Sequence, residues 1–291
     1  MAVQNHIRNP IEWGWDHLRD AGQAVGNAAA SLDGAWDART ATPPIVRRIA
    51  MADLSAALRA GIADFTACRT DVVFLCLLYP VAGLVIGRIA LEQGLLPLVF
   101  PLVAGFALIG PLFGVGLYEM SRRRERGIAT GWADAFAVLK SPSLGAIVVV
   151  GLVLLALFGL WLGSAWVLYG LTLGPDLPVS AGAFAHDVLA TPGGWAMIGI
   201  GFAMGFVFAV IALAIGVVSL PLLLDRPVGA GQAMATSLRA VRANPLPMAA
   251  WGLVVAGGLA LGALPLLVGL AIVLPILGHA TWHLHRRMVA P

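Results

Sequence analysis

Residues 118–142, YEMSRRRERGIATGWADAFAVLKSP, hold the densest run of positive charge in the chain and lie between two long apolar segments. Lys and Arg are retained on the cytoplasmic side of a bilayer, so Arg122, Arg123, Arg124 and Arg126 predict a cytoplasmic loop, and every other crossing follows by alternation. Composition points the same way: 59% of the 291 residues are hydrophobic, 11% are charged, and mean hydropathy is +0.89. A water-soluble domain carries about 25% charged residues, so most of this surface is expected to meet lipid or other helices.

Working outward from that loop, the apolar runs predict six crossings, over 72–91, 95–118, 144–171, 194–224, 246–261 and 265–284. The last two come from one run, 246–284. As a single helix it would reach about 58 Å, against a hydrocarbon core of about 30 Å, so it must fold back, best at Gly262-Ala263-Leu264-Pro265. Basic residues test the topology: seven precede Val72, five lie from Arg122 to Lys140, three from Arg226 to Arg242 and two at the C-terminus. All of these are cytoplasmic in the six-crossing arrangement, with both termini inside. Arg88 is the remaining one, expected to snorkel to the outer headgroups beside Glu92. Trp161, Trp166, Tyr169 and Trp195 are placed to form an outer aromatic belt around the loop 172–193.

Three cytoplasmic segments carry apolar residues at helical spacing ahead of a hairpin: Leu54, Leu58, Ile62 and Phe65; Trp132, Phe136 and Leu139; Met234, Leu238 and Val241. SAALRAG and ATSLRAV are alike, and KSPS and RANP end the second and third of these segments at Pro142 and Pro245. The predicted fold is an all-α polytopic membrane protein: six transmembrane helices as three hairpins, each preceded by a cytoplasmic amphipathic elbow helix, with residues 51–291 as the membrane domain. Residues 1–50 form a cytoplasmic N-terminal segment. No apolar signal-peptide core is seen there, Asn9-Pro10-Ile11-Glu12 reads as a helix start, and an amphipathic helix follows to Leu32 before a linker ending near Pro43-Pro44. GxxxG spacing at Gly83/Gly87, Gly110/Gly114, Gly159/Gly163, Gly201/Gly205 and Gly258/Gly262 suggests close helix packing, and Pro80, Pro111 and Pro275 suggest kinks.

The runs LVFPLVAGFALIGPLFGVGLYEMSRR, VVSLPLLLDR, SLRAVRANPLPMAAWGL and VLPILGHATWHLHRR resemble the bacterial family of predicted integral membrane proteins termed domain of unknown function 2189 (DUF2189), over residue 50 to the C-terminus. That resemblance implies the fold and a bacterial cytoplasmic-membrane location, and implies no activity. A haem-copper oxidase subunit would need several histidines inside its spans, and of the six here only His279 and His283 approach the core.

Those two lie at i and i+4 on the last helix and can present two imidazoles on one face for a metal or haem. The competing reading is an interfacial anchor interleaved with Trp282 beside Arg286, and it carries the expectation of no cofactor. Cys68 and Cys76 make no disulfide framework, and Cys76 reads as a buried thiol. Glu119 and Asp225 end their spans next to Arg122 and Arg226, as salt bridges or as markers of the membrane boundary. No phosphate loop, zinc spacing or nucleophile constellation is visible. The expected membrane-interface residues are Arg122, Arg123, Arg124, Arg126, Trp132, Arg239, Arg242, Arg286 and Arg287. Placed between apolar segments, these cations suit anionic lipid headgroups rather than nucleic acid, with a membrane-protein partner or a second copy as further contacts. Two function classes follow: a non-enzymatic accessory, assembly or lipid-interacting scaffold, and a carrier of a neutral or hydrophobic solute.

Overall fold

The computed structural model describes residues 44–290 apart from Leu77, Gln93 and Pro175. The expectations for the helix over 9–32 and for the Cys76 side chain lie outside the described residues. The helices are α1 (Met51–Cys76), α2 (Leu78–Glu92), α3 (Val99–Phe113), α4 (Val115–Glu125), α5 (Leu144–Thr172), α6 (Ala181–Ala190), α7 (Pro192–Asp225), α8 (Ala230–Ala243), α9 (Pro245–Ala263) and α10 (Leu270–Met288). Two 3₁₀ stretches, Leu96–Leu98 and Trp132–Lys140, complete the order. Among the described residues the other backbone pairing is one antiparallel bridge, Val46 with Val289.

Three helices are long and apolar enough to cross a membrane: α5, α7 and α9. A fourth crossing exists if Leu96–Gly105 and Ala107–Phe113, bent by 44° to each other, form one span. Of the six expected crossings, three or four are thus matched by helices of sufficient length and apolarity among the described residues. The first expected crossing, 72–91, covers the end of α1 and most of α2, and Leu77 between them lies outside the described residues. The sixth is not among these helices. From Leu277 to Met288, α10 is buried almost throughout, because its His, Trp and Arg side chains are held by α1, α4 and the end of α7 rather than by headgroups. The run 246–284 does fold back, through a turn over 264–269 in which Leu266 and Leu267 take positive φ.

The three expected elbow segments differ from one another. The first is the start of α1, which kinks at Cys68 (φ −115°, ψ 17°). The second is the nine-residue 3₁₀ stretch rather than an α-helix, closed at its start by the Asp134 carboxylate accepting the Gly131 N–H at 2.9 Å. The third is α8. Its buried face is made of small residues, Ala230, Ala233, Thr236, Ser237 and Ala240, so it lies close against the end of α7, where Ser237 Oγ accepts the Val218 N–H at 3.2 Å.

Most of the core lies at the basic end of the bundle. Trp251, Trp282, Met248, Met288 and Leu220–Leu224 are fully enclosed there, and α10 lies along α1. Asn244, at the joint between α8 and α9, ties in the chain ahead of α1: its Oδ1 accepts the Ile49 N–H at 2.7 Å, and its Nδ2 donates to Arg47 O at 3.1 Å and Ala240 O at 3.0 Å. Alanine there would remove the side-chain partner of the part-buried Ile49 N–H and the donor to the Arg47 and Ala240 carbonyls. Asn244→Ala is expected to cost about 2 kcal/mol and to speed tryptic cleavage at Arg47 and Arg48. Unchanged melting in detergent together with unchanged cleavage would contradict this role.

At the opposite end Arg88 Nε meets Glu92 Oε1 at 2.6 Å with both side chains exposed, as expected. Trp166 and Trp195 are exposed there too, but Trp161 is a correction. It is buried against α3, with Nε1 donating to Pro101 O at 2.8 Å. The loop 172–193 contains α6, capped by Ser180 Oγ accepting the Ala183 N–H at 3.1 Å.

Candidate functional site

The polar residues of the basic end converge where α1, α4 and α10 meet. On α1 the buried stripe is Leu54, Ala57, Gly61, Asp64 and Cys68, at alternating three- and four-residue spacing. It is offset from the Leu54–Leu58–Ile62–Phe65 row read from the sequence, and Ile62 faces outward. Small residues on this stripe let α10 come close: a Cβ on Gly61 would lie 2.6 Å from Ala280 N. One turn further on, Asp64 is carried into the interior.

Both Asp64 oxygens are used. Oδ1 pairs with Arg124 Nε at 2.9 Å; Oδ2 accepts from Ser121 Oγ at 2.7 Å and lies 2.8 Å from His283 Nε2. Ser121 Oγ is also 2.7 Å from His279 Nδ1. A hydroxyl has one proton, so with Asp64 ionised that proton goes to the carboxylate and the His279 Nδ1–H donates to Ser121. Burial acts to raise the Asp64 pKa, but the bonds from His283 and Ser121 outweigh it and hold the carboxyl below its ordinary value.

Ser, His and Asp thus share one site in the order His279–Ser121–Asp64–His283. Acyl transfer needs the imidazole between serine and carboxylate, where it can take the serine proton. Here the carboxylate takes that place and accepts the serine's hydrogen bond. His279 and His283 are brought together as their spacing implied, yet each is spent on a different member of the Asp64–Ser121 pair. His279 is buried and His283 half-buried. Among the described residues no group of three His, Cys, Asp or Glu is placed to hold a metal ion.

The expected interface arginines divide into two sets. The inner set is neutralised. Arg122 and Arg123 pair with buried Glu119 at 2.8 and 3.2 Å, Arg123 also meets Asp134 at 2.7 Å, and Arg122 donates to Leu224 O. Arg286 bridges Glu125 at 3.2 Å and Asp225 at 3.3 Å, while Trp282 Nε1 donates to Glu125 at 3.1 Å. Arg287 meets Asp53 at 2.8 Å. The Asp53 pKa is lowered first by the Ala50 N–H that its carboxylate accepts and then by Arg287. Glu119 and Asp225 are therefore ion-pair partners, the first of the two readings open in the sequence.

The outer set is Arg126, Arg239 and Arg242, to which the structure adds Lys140, all exposed and none with a carboxylate partner among the described residues. Beside Arg126 and Lys140, the second elbow turns Trp132, Phe136 and Leu139 outward, 44%, 51% and 49% exposed. Trp132 and Phe136 stack edge-on at 6.3 Å. Sequence reasoning missed Asp64, Ser121, Glu125 and Asn244. Asp64 had a readable signal, a carboxylate in line with Ala57 and Gly61; the others had none, since their partners lie far away in the chain.

No curated protein and no solved structure matches the chain. Residues 99–225 match the model of the family described as Predicted integral membrane protein (DUF2189), a match that begins at the first residue of α3 and ends at the last residue of α7. It is narrower than the resemblance read from the sequence, and Asp64, Asn244, His279 and His283 lie beyond it. The described residues are thus helical with several apolar helices, as in an integral membrane protein, and residues 99–225 are similar to the family of predicted integral membrane proteins DUF2189.

Proposed function

We propose that this protein is a non-enzymatic scaffold or accessory factor of the bacterial cytoplasmic membrane, with both termini in the cytoplasm and its basic end seated on anionic lipid. The observation that carries this reading is the division of the cations. The inner arginines are consumed in holding α1, α4, α7 and α10 together, whereas Arg126, Lys140, Arg239 and Arg242 point outward beside exposed apolar side chains. Cations next to an apolar ridge fit the boundary between headgroups and acyl chains, where each contributes about 1 kcal/mol toward an anionic leaflet. The serine and histidines of the buried site serve structure in this reading, because the serine hydroxyl is committed as a donor to Asp64 and no imidazole stands between them.

The test is fluorescence of Trp132, isolated by replacing the other tryptophans with phenylalanine, in vesicles of brominated phosphatidylglycerol. Strong quenching by bromines near the headgroup end of the acyl chain is expected, and falls when Arg126 and Lys140 become glutamine. A Trp132 signal indifferent to bromination would place the elbow against protein or water and overturn the reading. A carrier of a neutral solute is the second reading, and the bend between Leu96–Gly105 and Ala107–Phe113 favours it, since broken helices line the sites of carriers.

A further inference from the structure

Along α7 the outward side chains Phe202, Phe206, Val207, Val210 and Ile211 are exposed, and then Gly216 to Leu224 are buried without a gap. From Pro192 to Ile211 the helix rises about 30 Å, which matches the hydrocarbon thickness. Lipid contact therefore ends near Ile211, and the rest of α7 runs inside the basic end. At that boundary α8 lies against α7, and between them is a groove of about 360 Å³ lined by Ile211, Ala214, Ile215, Met234, Ala235 and Leu238, with no polar lining surface.

The groove continues onto charge. On the exposed face of α8, Ala235, Leu238, Arg239 and Arg242 follow at three- and four-residue spacing, so the two guanidinium groups stand beyond the groove toward the end of the helix. Arg239 Nη2 donates to Thr236 Oγ1 at 3.0 Å, which steadies it on this face. Neither arginine has a carboxylate partner among the described residues, unlike Arg122, Arg124 and Arg286. An apolar slot at the depth where acyl chains begin, with two cations beside it, is complementary to one amphiphile with an anionic head.

We propose that the α7–α8 groove seats one acyl chain of an anionic phospholipid from the cytoplasmic leaflet, with its phosphate on Arg239 and Arg242. This rests on the lipid-contact reading above and adds a single, saturable site to it. The elbow at Trp132 contacts lipid without holding a particular molecule, whereas this groove retains one through solubilisation.

Native mass spectrometry of the full chain in mild detergent, titrated with dioleoylphosphatidylglycerol and separately with dioleoylphosphatidylcholine, tests it. One tightly retained phosphatidylglycerol is expected. Arg239→Gln with Arg242→Gln should weaken it about thirtyfold, from about 1 kcal/mol per cation, toward the level of phosphatidylcholine. Ala235→Trp, at an exposed position that needs no room in the core, should fill the groove and remove the retained lipid at an unchanged melting temperature. Retention unaffected by Ala235→Trp, equal retention of the two lipids, or a dimer in place of the lipid adduct would overturn the proposal. Should Ala235→Trp prevent folding, the arginine pair decides alone, since neither side chain makes an ion pair among the described residues. Trp132→Ala with Phe136→Ala leaves the adduct in place if the groove is its seat. Quenching of Trp132 without a retained lipid would sink the groove and spare the lipid-contact reading.

Discussion

Replacing Asp64 by alanine is expected to lower stability by about 3 kcal/mol, the low end for breaking a buried ion pair, because Arg124 keeps partial access to water. The substitution removes the acceptor shared by Arg124, Ser121 and His283, and with it the polar connection between α1, α4 and α10. Asp64→Asn keeps an acceptor for Ser121 and should lose roughly half as much. The pH dependence has a definite sign. Because the folded carboxyl titrates below its ordinary value of 3.8, its contribution is fully present above that value and is lost as pH falls through the lowered one. The wild type should therefore lose this increment only in strong acid, and Asp64→Asn should lack that part of the acid limb. Melting curves in detergent from pH 7 down to about pH 3 give both results, and an Asp64→Ala variant as stable as the wild type would show that the site is not structural.

Gly61→Val is expected to separate α1 from α10 and cost about 3 kcal/mol, the upper range for overpacking. A Cβ there would meet Ala280 N at 2.6 Å, Cβ at 2.7 Å and Cα at 2.8 Å. Two of those three atoms are backbone, so no rotamer change relieves them. Gly61→Ala should cost less than valine, and adding Ala280→Gly should rescue it only in part, because that removes one of the three short contacts. Full rescue would mean that the backbones yield, and no loss at all would mean that the two helices are not in close contact.

Composition, run length and charge placement suffice to settle that this chain is helical and made for a membrane, because those properties are local: an apolar run without charges must bury its backbone in a helix. The fold-back of 246–284 was legible from length against bilayer thickness, and the Arg88–Glu92 pair from its i,i+4 spacing. What was not legible depends on which distant residues meet. Nothing local says that Arg124 is neutralised while Arg126 has no carboxylate partner among the described residues, since Asp64, the partner of Arg124, lies 60 residues away. The same holds for Trp161, which hydropathy places in a belt and the kinked α3 draws inside, and for glycine spacing: Gly258 and Gly262 pack on α10, while Gly159 and Gly163 have nothing within 4 Å. Length and apolarity do not distinguish a helix that crosses lipid from one that ends inside protein. Only the tertiary packing turned the second half of α10 from an expected crossing into the pillar of the basic end, because charged and aromatic side chains that a bilayer would repel find their partners on α1, α4 and α7.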